Sequence, residues 1–351
     1  MGIFSTLMAL LHTEPLSKHI SVHQSMSARA ESRARYLTCV IAFAFAQADR
    51  LRSPVVISLP VILLAAISTM GQDLKSYDQK VGGLSFKMVA VPGGKFQIGS
   101  ASGEADEAPP KSIEVSAFWM QAHEVTFAEW DLFFKDMNLP QSKNIDGITR
   151  PTPQYIDLTW GMGREGTKPT NSMSQQAAVM YCKWLYSKTG FFYRLPTEAE
   201  WEFACKTGKT ETNRLSEIAH YIDNSGGKFH DVEKLKPNTL GIYDMLGNLS
   251  EWTSDQYDPS YYNKIEIKDP RTPLAGRYPR TVRGGSYMDP AKELRCANRI
   301  ASDAKWNTRD PQIPKSRWWL TDGMFVGFRV VRPAWQPSAA EIDSYYAAYL
   351  K

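Results

Sequence analysis

Between residues 84 and 100, apolar and polar side chains alternate around Pro92-Gly93-Gly94. A period of two marks half-buried strands, so the pattern predicts a hairpin of residues 86–91 and 95–98. Residues 113–120 read as a further strand, and the acidic, Pro-containing stretch 102–111 as a surface loop. The period then lengthens. Thr126-Phe-Ala-Glu129 is a capping box, whose hydroxyl and carboxylate satisfy amides left open at a helix start. It opens a helix with Trp130, Phe133, Phe134 and Met137 on its apolar side. Residues 138–170 are long, loop-like and rich in Pro and Gly, which is unusual inside a compact domain unless functional.

Ser174 can cap a second helix running to Thr189, where Gly190 stops it; Ala178, Tyr181, Cys182 and Leu185 form its inner face. Pro196-Thr-Glu-Ala-Glu200 is another capping box, for a helix ending at Gly208. From 213 to 315 the chain is mostly turns, aromatics and short strands. In residues 339–351, Ile342, Tyr345, Tyr346 and Tyr349 recur at helical spacing, which reads as an amphipathic helix docking on the body, with a partner-binding tail as the alternative. No solenoid-length repeat is present. The sum is α+β with sparse regular structure.

The chain has 351 residues, 43% hydrophobic and 22% charged, which is enough for a substantial core. Its net charge of +4 is uneven: residues 1–72 carry six Lys/Arg and three Asp/Glu, so +3 belongs to this leader and about +1 to the rest. That excludes the basic footprint of nucleic-acid or anionic-membrane binding. The leader has two signal-like segments: Arg29, Arg33 and Arg35 before an apolar run and Ala46-Gln47-Ala48, then Arg50 and Arg52 before a second run ending near Gly71. The second, with Gln72 directly before the domain, is the better cleavage candidate; a single membrane anchor is the alternative. The parse is a leader (1–72), one domain (73–335) and a tail (336–351), exported to the periplasm or beyond, with no stable membrane span once the leader is removed.

Four segments carry a resemblance: Tyr193-Arg-Leu-Pro-Thr-Glu-Ala-Glu-Trp-Glu-Phe-Ala-Cys205, Leu240-Gly-Ile-Tyr-Asp-Met-Leu-Gly-Asn-Leu-Ser-Glu-Trp252, Arg283-Gly-Gly-Ser-Tyr-Met-Asp289 and Gly327-Phe-Arg-Val-Val331. In this order they resemble the formylglycine-generating enzyme (sulfatase-modifying factor) superfamily, over about residues 84–333. The resemblance implies a C-type-lectin-like architecture. It also implies kinship with oxidoreductases that convert a sulfatase Cys or Ser to formylglycine. In those oxidases a cysteine follows Gly-Gly-Ser-Tyr-Met, a second lies five residues on, and the pair binds copper. Here Asp289 stands first and Pro290-Ala-Lys-Glu-Leu294 brings no thiol, so copper is not expected: soft thiolates select Cu(I) and a carboxylate does not replace them.

Of the four cysteines, Cys39 lies in the leader, and the resemblance pairs Cys205 with Cys296. A second family bridge is broken because Val330 stands opposite Cys182, which leaves Cys182 a buried free thiol. The family's structural calcium implies ligation by the Asp244 and Glu251 side chains with the Gly247 and Leu249 carbonyls, a hard-oxygen set around a tight turn; the competing reading is a turn capped by its own side chains. A second family calcium, near Asn224, stays unassigned because the local sequence departs from the pattern. Beyond the leader, His123, His220 and His230 form no metal motif, which argues against the family's iron-dependent sulfoxide synthases.

The family cleft implies Ser286, Tyr287, Asp289, Asn298, Arg299 and Trp252 as binding or acid–base candidates, against a structural Asp289–Arg299 ion pair. Two aromatic and basic insertions, 304–325 and 149–165, read as binding loops or as a structural lid. Two function classes follow. One is an exported sulfatase-modifying-factor-like protein without the copper thiol pair, acting on or binding a protein (sulfatase-like or other) or a glycan. The other is a non-catalytic C-type-lectin-like module that binds such a ligand.

Overall fold

A computed structural model describes residues 74–136, 153–154, 156–208 and 214–349. The leader segments with Cys39, the Met137 position and residues 149–152 and 155 of the first insertion lie outside the described residues. From residue 74 onward, the described residues form one compact unit.

Three small sheets carry the strands. The first has the order β1 (Tyr77–Val81), β2 (Leu84–Val91), β5 (Phe118–Gln121), β10 (Val331–Pro333), all antiparallel. The second pairs β3 (Gly94–Ile98) with β4 (Lys111–Val115). The third has the order β8 (Ile300–Ala301), β7 (Arg280–Arg283), β6 (Ser250–Gln256), β9 (Val326–Gly327), with β6 and β9 parallel.

Two strand expectations are corrected. Residues 86–91 and 95–98 are strands, but they do not pair with each other. Pro92-Gly93 carries the chain from the first sheet to the second, and a Cβ on Gly93 would lie 2.6 Å from the Val115 carbonyl oxygen, so the crossing needs a bare backbone. The hairpin here is β1–β2, turning at Gly82 and Gly83, both with positive φ as a primed two-residue turn requires. The single strand expected over 113–120 is two strands in two sheets, β4 and β5. Its break is held by Asp269, which accepts hydrogen bonds from the Ser116 amide (2.6 Å) and hydroxyl (2.7 Å).

The helices form where their caps stand. Thr126 and Glu129 cap α1 (Phe127–Phe134), Ser174 caps α2 (Gln175–Thr189), and Thr197 with Glu200 caps α3 (Glu198–Thr207). Gly190 ends α2 in the left-handed conformation. α2 is the centre of the larger core: Trp130 and Phe133 of α1 meet Tyr181 and Trp184 of α2, and Phe328 closes on Trp130 and Tyr181. The tail is a helix, α4 (Ala339–Ala348), packed on this core. Tyr346 donates its hydroxyl to the Tyr193 carbonyl (2.6 Å) and Tyr349 to the Ser254 carbonyl (2.7 Å).

The 102–111 stretch is not wholly solvated. Glu107 is fully buried and takes a bidentate pair of 2.6 Å bonds from Arg295. The 304–325 insertion folds inward as a strap: Trp318 and Trp319 are buried in the main core, and Trp306 lies between Trp252 and Phe325. Its aromatic rings stabilise the core and are not exposed for binding.

Candidate functional site

The Gly-Gly-Ser segment leaves β7 through two residues of positive φ, Gly284 (+96°) and Gly285 (+70°). A Cβ on Gly284 would meet the Met245 carbonyl oxygen at 3.0 Å and the Trp201 ring at 3.2 Å, so the backbone must be bare there. The turn then closes on itself. One carboxylate oxygen of Asp289 accepts from the Ser286 amide (2.7 Å) and hydroxyl (2.8 Å), while Ser286 accepts in turn from the Met288 amide. Asp289 is thus the cap of its own turn. Tyr287 is buried, its amide bonded to the Asn248 carbonyl and its ring edge-on to Phe229.

The other three cleft candidates sit in packed structure. Arg299 does not pair with Asp289. Its guanidinium forks onto Glu198 (2.5 and 3.1 Å) and lies over the rings of Tyr262 and Tyr257. Asn298 donates to the Glu293 carbonyl, and Trp252 donates its indole N–H to the Met173 carbonyl. Ser286, Tyr287 and Asp289 therefore share one turn, while Asn298, Arg299 and Trp252 are structural members of their own neighbourhoods.

Beneath the turn lies a network of buried charges. Arg283, fully buried, pairs with Glu202 and donates to the carbonyls of Ala297, Asn298 and Cys296. Cys205 at the end of α3 is bonded to Cys296, as the resemblance implies. Cys182 is a buried free thiol whose pKa burial pushes far up, which keeps it protonated and unreactive.

Asp255 is held between the Glu198 amide and the Thr272 amide; burial foremost, then the charge of Glu198, raises its pKa to about 7. A folded-state carboxyl pKa above its ordinary value of about 3.9 keeps its full stabilising share below pH 4 and loses it as pH rises through 7. Asp255→Asn, whatever its cost at pH 4, should therefore gain stability relative to the wild type between pH 4 and 7. Urea titrations across that range check the sign, and parallel pH profiles would refute it.

The segment of residues 244–251 and its surroundings gather more acid than base. Glu251 accepts from the Nε and Nη2 of Arg329 (2.6–2.9 Å) and from the Trp201 indole N–H (2.9 Å), so both of its oxygens are engaged. Asp244, in a positive-φ turn, accepts from the Glu233 amide with one oxygen while the other is buried without a partner. Glu124 is fully buried beside it; one oxygen faces the Leu249 amide at 3.3 Å and the other has no partner. Burial, with Asp244 next, raises the Glu124 pKa well above the carboxylate range, and burial raises Asp244 to about 6.

Two orphaned carboxylate oxygens beside a turn have the chemistry to accept a hard cation, and Glu124 is the buried carboxyl here that sequence reading missed. Its position directly before the capping box is visible in sequence; its burial is not. Among the described residues, no three His, Cys, Asp or Glu side chains form a ready-made metal cage. His220 and His230 stack on each other at 3.9 Å, with burial lowering the His220 pKa to about 4.

Residues 78–334 match the family model of the sulfatase-modifying factor enzyme 1-like domain. The chain belongs to that family. Formylglycine-generating enzyme of Mus musculus is 28% identical over an alignment of 254 residues, with 58% of this chain and 66% of that protein covered. Serine/threonine-protein kinase pkn1 of Chlamydia caviae is 31% identical over 224 residues, 61% of this chain. The chain spans only 35% of the length of that kinase. PvdO from Pseudomonas aeruginosa superposes with a TM-score of 0.58 at 23% identity, covering 75% of this chain and all of PvdO. The family member described here is therefore a mixed α+β, C-type-lectin-like domain of the formylglycine-generating-enzyme type. Among the described residues, no helix is long and apolar enough to cross a membrane.

Proposed function

We propose that this family member is an exported, non-oxidase sulfatase-modifying-factor-like protein that binds a protein or glycan ligand. The non-oxidase part of the reading rests on one observation, and the ligand class is carried over from the family resemblance. At the position where the resembling oxidases carry the first copper thiol, Asp289 is tied into the Gly-Gly-Ser turn by Ser286. The described cysteines offer no substitute, since Cys205 and Cys296 are bonded to each other and Cys182 is buried away from the turn. Export rests on the signal-like leader and agrees with a disulfide, which persists in oxidising compartments.

Copper(I) titration tests it. The wild-type protein should take up no tightly bound Cu(I), whereas the double variant Asp289→Cys/Leu294→Cys, which restores the family spacing, should take up one equivalent. Tight uptake by the wild type would overturn the proposal.

Calcium belongs to the same proposal as a structural ion at the turn of residues 244–251. Asp244 and the carbonyls of Gly247 and Leu249 would hold it, Glu251 would flank it through its pair with Arg329, and Glu124 would supply a further carboxylate. The ion would offset charge that Arg329 alone does not balance. Calcium at a hundred times its dissociation constant should stabilise the fold by about 2.7 kcal/mol. Asp244→Ala, which removes the side-chain oxygen, should abolish that gain, and equal melting temperatures in calcium and in chelator would remove calcium from the account.

A further inference from the structure

A cavity of about 340 Å³ opens at the start of α2, away from the Gly-Gly-Ser turn. Arg277, Arg280 and Arg317 line it, and among the described residues no Asp or Glu does. The N-cap Ser174 and first-turn residues Gln175 and Gln176 also border it, so the positive end of a 15-residue helix faces the same space.

Arg280 is the decisive residue. It is more than nine-tenths buried, and its Nη1 has no hydrogen-bond partner. Its guanidinium carbon lies 5.8 Å from the Tyr349 ring centre, and among the described residues no Asp or Glu forms a salt bridge with it. Burial lowers its pKa, as befits a cation short of a counter-ion. Arg277 stands at the exposed mouth of the same cavity, where its guanidinium donates to the neutral Ser316 carbonyl (3.0 Å) and lies over the Tyr278 ring. A buried cation without an anion costs several kcal/mol, and an anion entering the cavity would remove that cost. Guanidinium forks match the oxygen pairs of carboxylates and sulfates. Trp252, Leu320 and Tyr349 supply apolar walls for the rest of a ligand. The volume falls within the range of small-molecule sites.

The chain builds this cavity partly from pieces of its own. Ala348 and Tyr349 come from the tail, beyond the matched residues 78–334, and Arg317 and Leu320 come from the inserted strap. We propose that the cavity is a binding site for a small organic oxyanion, a carboxylate or sulfate ester. Arg280 and Arg277 take its charged group, and Tyr349 and Leu320 take its ring or chain. The inference is independent of the chemistry at Asp289.

Calorimetric titration of the full domain with sodium glucuronate, hippurate and inorganic sulfate tests it and separates a sugar acid from a peptide-like acid. At least one organic anion should bind with a Kd below about 1 mM. Arg280→Met should weaken that binding at least about tenfold, equivalent to about 1.4 kcal/mol, and the exposed Lys234→Met should leave it unchanged. Arg277→Gln, at an exposed position, provides the same comparison if Arg280→Met does not fold. The proposal is overturned if neither organic anion binds, if sulfate alone binds, or if both arginine variants bind as the wild type does.

Discussion

Replacing Arg329 by methionine should cost about 3–5 kcal/mol, the price of stranding a buried partner of a broken ion pair. Arg329 is fully buried and makes three charge-assisted bonds to Glu251. It also donates to the carbonyls of Tyr243 and Asp244 and to those of Gln121 and Ala122, which ties the start of the 244–251 turn to the end of β5. Its charge further lowers the pKa of Glu124 and Asp244 against the upward push of burial. Its removal would leave Glu251, Glu124 and Asp244 together in the interior without that cation. Glu251→Gln should cost less, because Arg329 keeps the field of two other carboxylates and Gln keeps an acceptor. Urea unfolding of both variants checks the order. A loss under about 1 kcal/mol for Arg329→Met would mean that the three carboxylates are neutral in the fold.

The second large effect is the disulfide. Cys205 and Cys296 are 91 residues apart in sequence, and closing a loop of that length removes about 4.5 kcal/mol of unfolded-chain entropy in the chain-entropy model. The bond also fixes the end of α3 beside the loop whose Cys296 carbonyl receives Arg283. The double variant Cys205→Ala/Cys296→Ala should lose about 2–5 kcal/mol. Reductant should lower the urea midpoint of the wild type and leave that of the double variant unchanged. Equal wild-type midpoints with and without reductant would contradict this.

Local signals in the sequence translated into local structure. The capping boxes at Thr126 and Thr197, the Ser174 cap and the Gly190 stop each act on groups within four residues, and each helix begins or ends there. Strand partners were not legible in the same way. β2 alternates as expected, yet its partners are β1 and β5, because pairing is decided by residues far along the chain. β6 was invisible for another reason: Ser-Glu-Trp-Thr-Ser-Asp-Gln reads as polar, and all seven residues are buried.

The buried acids explain how such a strand and such helices survive. Glu107, Glu198, Glu202 and Glu251 meet Arg295, Arg299, Arg283 and Arg329, partners 188, 101, 81 and 78 residues away. Composition shows these as ordinary surface charge. For the same reason the cleft candidates scattered: Arg299 found Glu198 before Asp289, and only the turn residues Ser286, Tyr287 and Asp289 stayed together. The family motifs located the turn and the disulfide, while Glu124 and the arginine-lined cavity needed coordinates.

Oxygen uptake with a cysteine-containing sulfatase peptide, a thiol reductant and added copper tests the non-oxidase reading most directly. The wild-type protein should consume oxygen no faster than the same protein with Asp289 replaced by asparagine, and the peptide should keep its cysteine mass. Peptide-dependent oxygen consumption with formation of the aldehyde would contradict the account.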